Sequence, residues 1–281
     1  MEENHTTGWK NFRLPPACYA GAVDYAALAS GSRGNCHAFS DGQRTLLVDV
    51  GISLKQIRTR LAAIGWDPGR VRAVALSHEH TDHIAAVPVL LRNTDWTFLV
   101  TRETLAAIKT IQGIEIPPER LLLLRAGHRT DWDGVGVLPF SIPHDAADPV
   151  AFRLEWGGTA AAVVTDLGQP TALVLDHCRD LDLLTLEANH DVQMLREGDY
   201  PPALKARILS RIGHLSNESM GELLASVLAP RLRTVVLAHL SEHNNDPEYA
   251  RAAAAVILGA GPTVLHLARQ QDPISVAAVG Y

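Results

Sequence analysis

The 281-residue sequence holds only three cysteines, Cys18, Cys36 and Cys178. An odd number without CxxC spacing offers no readable disulfide framework and no cysteine zinc site. It points instead to a reducing compartment, the cytoplasm. Aromatic residues make up 5% of the chain, so the core must be built from Leu, Val, Ile and Ala. A basic excess is also missing: 25 Lys and Arg stand against 31 Asp and Glu, a net charge of −6. That is no whole-chain signature of a nucleic-acid binder, although bound dications would reverse the sign locally. No apolar run approaches the ~20 residues of a membrane span. The first 25 residues lack the apolar stretch of a signal peptide. No low-complexity linker and no fixed-period repeat divides the chain.

What is present is 47% hydrophobic residues, arranged in two alternating periods. Tyr25–Ser30, Thr45–Asp49, Val71–Ser77 and Trp96–Thr101 read as strands. Helical patterns fall at Ser53–Ile64, Ile84–Asn93 and Glu103–Gln112, the first with Ser53 as a natural N-cap. The second half repeats the plan. Val150–Trp156 and Thr159–Thr165 flank Gly157-Gly158, a hairpin signal. Further strands are expected at Leu183–Glu187, Thr234–Ala238, Thr263–Ala268 and Ile274–Val279. Helices are expected at Thr171–Cys178, Pro202–Ile212, Glu218–Leu228 and Pro247–Leu258. Such β-α alternation predicts an α/β fold with sheets covered by helices. The expectation is an N-terminal extension over 1–24 and one domain over 25–281, a four-layer αββα sandwich.

The strongest chemical signal is Ser77-His78-Glu79-His80-Thr81-Asp82-His83, after the apolar run Val71–Leu76 and before a helix. Three imidazoles and a carboxylate on a turn beyond a strand end can converge, as they could not along a straight strand. Their chemistry suits Zn, Mn or Fe. His144 follows the apolar segment Val135–Ile142, Asp166 follows Ala160–Thr165, and His239 follows Thr234–Ala238. Each can project from the same sheet edge toward the first cluster.

His78-x-His80-x-Asp82-His83, followed by His144, Asp166 and His239, resembles the five metal motifs of the metallo-β-lactamase fold. Asp49, in Leu47-Val48-Asp49-Val50-Gly51, resembles the first motif, a carboxylate that braces the ligand loop. The resemblance runs from about residue 25 onward. It implies that His78, His80 and His144 hold one divalent metal and that Asp82, His83 and His239 hold a second. Asp166 would bridge them, with a hydroxide between the metals as nucleophile. Two dications so placed favour phosphodiester hydrolysis. Esters, lactones and thioesters are also within reach of such a site.

Further segments are similar to the YycJ/WalJ-type branch: Pro143-His144-Asp145-Ala146, Thr165-Asp166-Leu167-Gly168, Glu187-Ala188-Asn189-His190-Asp191, Gly213-His214-Leu215-Ser216-Asn217 and the stretch from Ala238 to Asn245. That branch implies 5′-to-3′ exonucleases acting on DNA, associated in some bacteria with mismatch repair. Asp82 and His214 are the catalytic candidates, His214 as the general acid for the leaving oxygen. Ser30, Ser32 and Asn35, in a small Gly-rich turn, are candidate phosphate contacts. So are Arg207 and Arg211, four apart on an expected helix. Asp49, Glu187 and His190 are supporting candidates. Cys36 reads as a small core residue. Between Asp166 and His239 lie 72 residues (167 to 238). They leave no room for the inserted β-CASP domain of many RNA nucleases of this fold, and no Gly/Pro-rich tRNA arm is visible.

The leading expectation is therefore a cytoplasmic binuclear-metal nuclease on DNA 5′ ends, single-stranded ones first, with Mn or Zn favoured over Fe. The competing one is a small-molecule metallohydrolase, either a cyclic phosphodiesterase or a lactone or thioester hydrolase. A metal-binding scaffold without activity is a third reading, against which seven intact ligand positions count.

Overall fold

The computed structural model describes residues 23–279, and the expected extension falls almost wholly on residues 1–22, outside them. The first half contributes β1 (Val23–Ala29), β2 (Cys36–Ser40), β3 (Thr45–Val48), α1 (Leu54–Ala63), β4 (Val71–Ala75), α2 (Thr81–Ile84), α3 (Val87–Asn93), β5 (Thr97–Thr101), α4 (Arg102–Gln112) and β6 (Leu121–Leu124). The second half runs β7 (Thr130–Trp132), β8 (Val135–Ser141), β9 (Val150–Trp156), β10 (Thr159–Val164), α5 (Ala172–His177), β11 (Leu183–Glu187), α6 (Val192–Glu197), α7 (Pro202–Ile208), α8 (Asn217–Val227), β12 (Thr234–Ala238), α9 (Pro247–Leu258) and β13 (Val264–Leu267). The last strand, β14 (Ile274–Val279), returns to pair with β1.

These strands form two seven-stranded sheets, ordered β14-β1-β2-β3-β4-β5-β6 and β13-β12-β11-β10-β9-β8-β7. Side chains alternate faces along a strand, and the burial follows that period. Tyr25, Ala27, Phe39, Leu46 and Val48 meet Phe152, Val163 and Val236 between the sheets. Ala26, Leu28, Ala38, Leu47 and Val74 point the other way, against Ile57 and Leu61 of α1, Leu90 of α3 and Ile108 of α4. On the outer face of the second sheet, Ala160, Ala162, Leu184 and Leu186 pack on α5, α8 and α9 through Val174, Leu224 and Ala250. Three apolar layers between four structural ones make the expected αββα sandwich. Both sheets are covered on both faces, and for that reason their strands read as near-continuous apolar runs.

The departures from the sequence reading are local. The expected helix over Ile84–Asn93 is two pieces, α2 and α3. Pro88, in the first turn of α3, has no N–H to continue a helix from α2 but fits a helix start. The expected helix over Pro202–Ile212 stops at Ile208. The chain there folds back on the helix end: the Gly213 N–H donates to the Ser210 carbonyl, and the His214 N–H donates to that of Ile208. A Cβ on Gly213 would lie 2.2 Å from the Ile208 carbonyl oxygen, so only glycine permits that turn. Arg211 is consequently outside α7 and does not share a helical face with Arg207. Strands β2, β6 and β7 and helix α6 were not expected. The Leu121–Leu124 run is ambiguous by period alone, whereas α6 carries a readable signal, Asp191 capping the Met194 N–H at 2.8 Å.

Candidate active site

All seven candidate ligands arrive from strand ends on one edge of the two sheets. Asp49 follows β3, the 78–83 turn follows β4, His144 follows β8, Asp166 follows β10, Glu187 closes β11 and His239 follows β12. Asp49, Asp166 and His239 have φ of 61°, 59° and 54°. Left-handed backbone at a non-glycine residue is uncommon and costs of order 1–3 kcal/mol. Here it turns each strand end so that its side chain faces the ligand cluster, Asp49 toward Ser77 and His83, Asp166 toward His83, and His239 toward Asp82. Gly51 serves the same end differently. A Cβ there would fall 1.6 Å from the Asp82 carbonyl oxygen, so its lack of a side chain lets the 78–83 turn lie against the β3 loop.

The imidazoles are held by one nitrogen and present the other. His83 Nδ1 bonds Asp49 Oδ2 at 2.8 Å. His78 Nδ1 bonds Ser77 Oγ at 2.9 Å, and that hydroxyl donates in turn to Asp49 Oδ2 at 2.8 Å. His144 Nδ1 faces the Gly213 carbonyl at 3.2 Å, which can only accept. His239 Nδ1 bonds Glu187 Oε1 at 2.8 Å. An acceptor at Nδ1 places a proton there, so that in the neutral ring Nε2 is a bare lone pair. Four Nε2 lone pairs therefore turn inward, joined by Nδ1 of His80, 3.3 Å from His144 Nε2.

The carboxylates close the space. Asp166 Oδ2 lies 3.1 Å from His83 Nε2, and its Oδ1 lies 3.6 Å from His239 Nε2. Asp82 Oδ2 is 3.5 Å from both His83 Nε2 and His239 Nε2. Burial pushes both carboxyls up, but the surrounding imidazoles outweigh it and hold Asp82 and Asp166 well below the usual range. Burial lowers His83 and His239, yet Asp166 with its neighbouring carboxylates carries both well above their ordinary value. His78 and His144 are lowered, chiefly by burial.

The donor set fits divalent metal. His78 Nε2 is buried with no hydrogen-bond partner, and His239 Nε2 and Asp166 Oδ2, though close to opposite charge, make no hydrogen bond either, a costly arrangement for polar atoms unless something else satisfies them. Two bare imidazole nitrogens facing each other at 3.3 Å need a shared cation or proton. Ligand atoms of His78, His80 and His144 lie within 4.8 Å of one another, as do those of Asp82, His83 and His239, and of His78, His83 and Asp166. Asp166, Glu187, His214 and His239 are equally close. In that group, however, Glu187 Oε1 is already engaged by both Nδ1 atoms.

His214 stands at the margin of the cluster, its side chain 21% exposed. Its Nδ1 bonds Glu187 Oε1 at 2.9 Å, so Nε2 is the free end. Burial lowers its pKa, but Glu187 and Asp166 raise it above the ordinary value. Glu187 is fully buried and also accepts the Leu167 N–H at 2.7 Å and the Leu215 N–H at 3.2 Å.

The structure separates the expected phosphate contacts. Ser32 is exposed and lines a recess beside His214. Ser30 and Asn35 do not face that recess. Ser30 is buried and accepts the His239 N–H at 2.8 Å. Asn35 is buried with Nδ2 3.1 Å from His83 Nε2 and 3.4 Å from Asp82 Oδ2. Arg207 lines the recess, its Nε paired with Asp145. Arg211 instead donates to Gln169 Oε1 at 2.9 Å. His190 is buried beside Ser216, both ring nitrogens without a partner, and burial takes its pKa down to about 4. It is not the exposed helix cap that its sequence position allowed, since Asp191 caps α6.

Sequence reasoning gave no role to Ser77, Gly51, Asn189 or Glu79. Asn189 Nδ2 donates to the His239 carbonyl at 2.9 Å, and Glu79 Oε1 accepts the Ala147 N–H at 2.8 Å, tying the His144 loop to the 78–83 turn. All four lay inside quoted motifs. Only their contacts reveal what they do.

Comparison with known proteins places the chain in a family. Residues 44–240 match the Beta-lactamase superfamily domain, a span that contains all seven candidate ligands. Exodeoxyribonuclease WalJ of Streptococcus pneumoniae is 34% identical over 227 residues, covering 80% of this chain and 84% of that one. The chain belongs to the WalJ/YycJ family. Exodeoxyribonuclease YycJ of Bacillus anthracis, 32% identical over 236 residues, covers 84% of this chain and 89% of its own length. The metallo-β-lactamase fold protein YhfI of Bacillus subtilis superposes with a TM-score of 0.67 at 17% identity, over 91% of this chain and all of that one. It shares the fold of this WalJ/YycJ-family hydrolase. Among the described residues no helix is long and apolar enough to cross a membrane.

Proposed function

We propose that this chain is a metal-dependent phosphodiesterase that releases nucleotides from the 5′ ends of DNA, single strands first, in the cytoplasm. The observation that carries the reading is the ring of inward-facing Nε2 and carboxylate atoms, with Glu187-held His214 at its margin. Two relatives named exodeoxyribonuclease supply the substrate class. Free, buried Cys36 and Cys178 suit a reducing compartment.

His78, His80 and His144 would hold one divalent cation, and Asp82, His83 and His239 a second, with Asp166 shared between them; Mn or Zn suits this set better than Fe. Such a pair supplies Lewis-acid charge to a phosphoryl group and makes water acidic enough to react at neutral pH. Asp82, held ionised, accepts a hydrogen bond from the attacking water. The water oxygen bonds to phosphorus as the P–O3′ bond breaks; one water proton stays on the new phosphate hydroxyl, and the other leaves through Asp82 to solvent, from which His214 is reprotonated. His214 gives its Nε2 proton to the departing O3′, while Glu187 holds Nδ1 and keeps the ring in place. Ser32 and Arg207 meet phosphate oxygens at the rim.

The test uses 5′- and 3′-labelled single- and double-stranded DNA, with RNA beside them, under Mn, Mg and Zn. Release of mononucleotides from the 5′ end alone, lost in His80→Ala and Asp82→Ala, is the expected result. No cleavage of nucleic acid, with turnover of a cyclic phosphate or a lactone, replaces this reading with that of a small-molecule hydrolase.

A further inference from the structure

Beside the cluster lies a recess of about 190 Å³. It is smaller than the roughly 300–1,000 Å³ of pockets for drug-sized ligands, a size on the scale of a single base rather than a base pair. Its walls are of two kinds. Tyr200, Leu204 and Ile208, from α7 and the residues just before it, form an apolar side. Ser32, Asn189 and Ser241 form a polar one together with the paired Arg207 and Asp145, and His214 lines the recess 3.7 Å from Asp166 of the ligand cluster. Leu204 and Ile208 are four apart and so lie on one helical face. Pro201-Pro202 hold the approach to that helix rigid. The Tyr200 ring meets His243 edge-on at 6.0 Å, with 62° between the planes, which braces it from the side.

We infer that this recess is a base slot for the terminal nucleotide, with Tyr200 as its stacking surface. The inference rests on the phosphodiesterase reading and deepens it. If His214 protonates the leaving oxygen, the recess it lines holds the leaving side of the scissile phosphate. A slot for one nucleoside on that side means that the departing O3′ belongs to the last nucleotide of the strand, which is then its 5′ end. An aromatic face with two aliphatic neighbours accepts any base through its π-surface, whereas base-edge readout needs an array of fixed donors and acceptors. A paired end must therefore open by one base before cleavage, and the slot offsets part of that unstacking.

The experiment compares 5′-terminal abasic with normal oligonucleotides in wild type, Tyr200→Ala and Tyr200→Phe, each checked for metal content and melting temperature. Wild type is expected to favour the normal terminus by about 5- to 150-fold in KM, the range of one base–aromatic stack. Tyr200→Ala should lose that preference with kcat little changed on the abasic strand, and Tyr200→Phe should restore it. A Tyr200→Ala enzyme that still prefers the normal terminus to the wild-type extent overturns the slot while the nuclease reading stands. A wild type that turns over bis(p-nitrophenyl) phosphate but no DNA overturns the nuclease reading, and the slot with it.

Discussion

Replacing Glu187 by Gln removes one charge and almost no volume, yet four hydrogen bonds meet at that carboxylate. Oε1 takes Nδ1–H of His214 and of His239, while Oε2 takes the backbone N–H groups of Leu167 and Leu215. A carboxylate accepts at both oxygens; a carboxamide accepts at one and donates at the other. Glu187→Gln can thus keep only one pair of donors and must turn an NH2 group on the other. Each hydrogen bond to a charged group contributes roughly 1.5–3 kcal/mol, so losing two predicts a destabilisation of about 3–6 kcal/mol. At about 2–4 °C per kcal/mol for a large domain, the melting temperature falls by about 6 °C or more. The geometry also says which function suffers. Backbone N–H groups cannot accept, so the carboxamide oxygen stays on them and its NH2 turns to the imidazoles; His239 then loses the partner that fixes Nε2 as its lone pair, and a change of that kind lowers metal affinity or activity about 10- to 100-fold. The assays are thermal unfolding and metal titration of Glu187→Gln beside wild type, with turnover measured at saturating metal. A variant that melts with wild type and binds metal as tightly would refute the argument that Glu187 sets both imidazoles.

Other perturbations test separate parts of the account. His214→Ala should lose turnover steeply on substrates with poor leaving groups and little on p-nitrophenyl esters, because only the former need a proton; equal losses on both would assign His214 to packing. Gly51→Ala places a methyl group against the Asp82 carbonyl and should displace the 78–83 turn, abolishing metal-dependent activity even where circular dichroism shows a folded chain. His37 is buried, and burial takes its imidazole down to about 3 from 6.5. The unfolded chain therefore binds a proton that the folded one refuses between those values. Stability is lost as pH falls from about 6.5 toward 3, by about 1.4 kcal/mol per pH unit. Urea titrations of His37→Gln should show a shallower pH slope than wild type in that window, and equal slopes would contradict the assignment. Prolonged chelation should remove activity and also lower the melting temperature, since ligand binding stabilises the folded state; a chelated protein with unchanged melting would count against the site.

Much of this was legible because the site obeys a simple rule. Chemistry-bearing residues stand one or two steps past apolar runs: His78 after Val71–Leu76, Asp166 after β10, His239 after β12. Periodicity located the strands, and spacing grouped the ligands. The sandwich was readable because continuous apolar strands imply cover on both faces. What stayed hidden depended on direction. Ser30 and Asn35 looked like a phosphate loop, but left-handed His239 and close-packed Gly51 draw the ligand loops inward until both side chains are consumed as braces. Arg207 and Arg211 looked like one basic face until the Gly213 turn ended α7 early. Tyr200 carried no signal at all, since one aromatic before a short helix is ordinary until the fold places it across a recess from Ser32 and Ser241.

The central claim is that five imidazoles and two carboxylates from four separate segments hold a pair of cations. Equilibrium dialysis of metal-stripped protein against Mn or Zn, with bound metal counted per chain, tests it directly. The account predicts two equivalents for wild type and a loss of tight binding in Asp166→Ala, whose carboxylate lies between both sets of imidazoles. One equivalent or none in wild type, or two in Asp166→Ala at undiminished affinity, would contradict it.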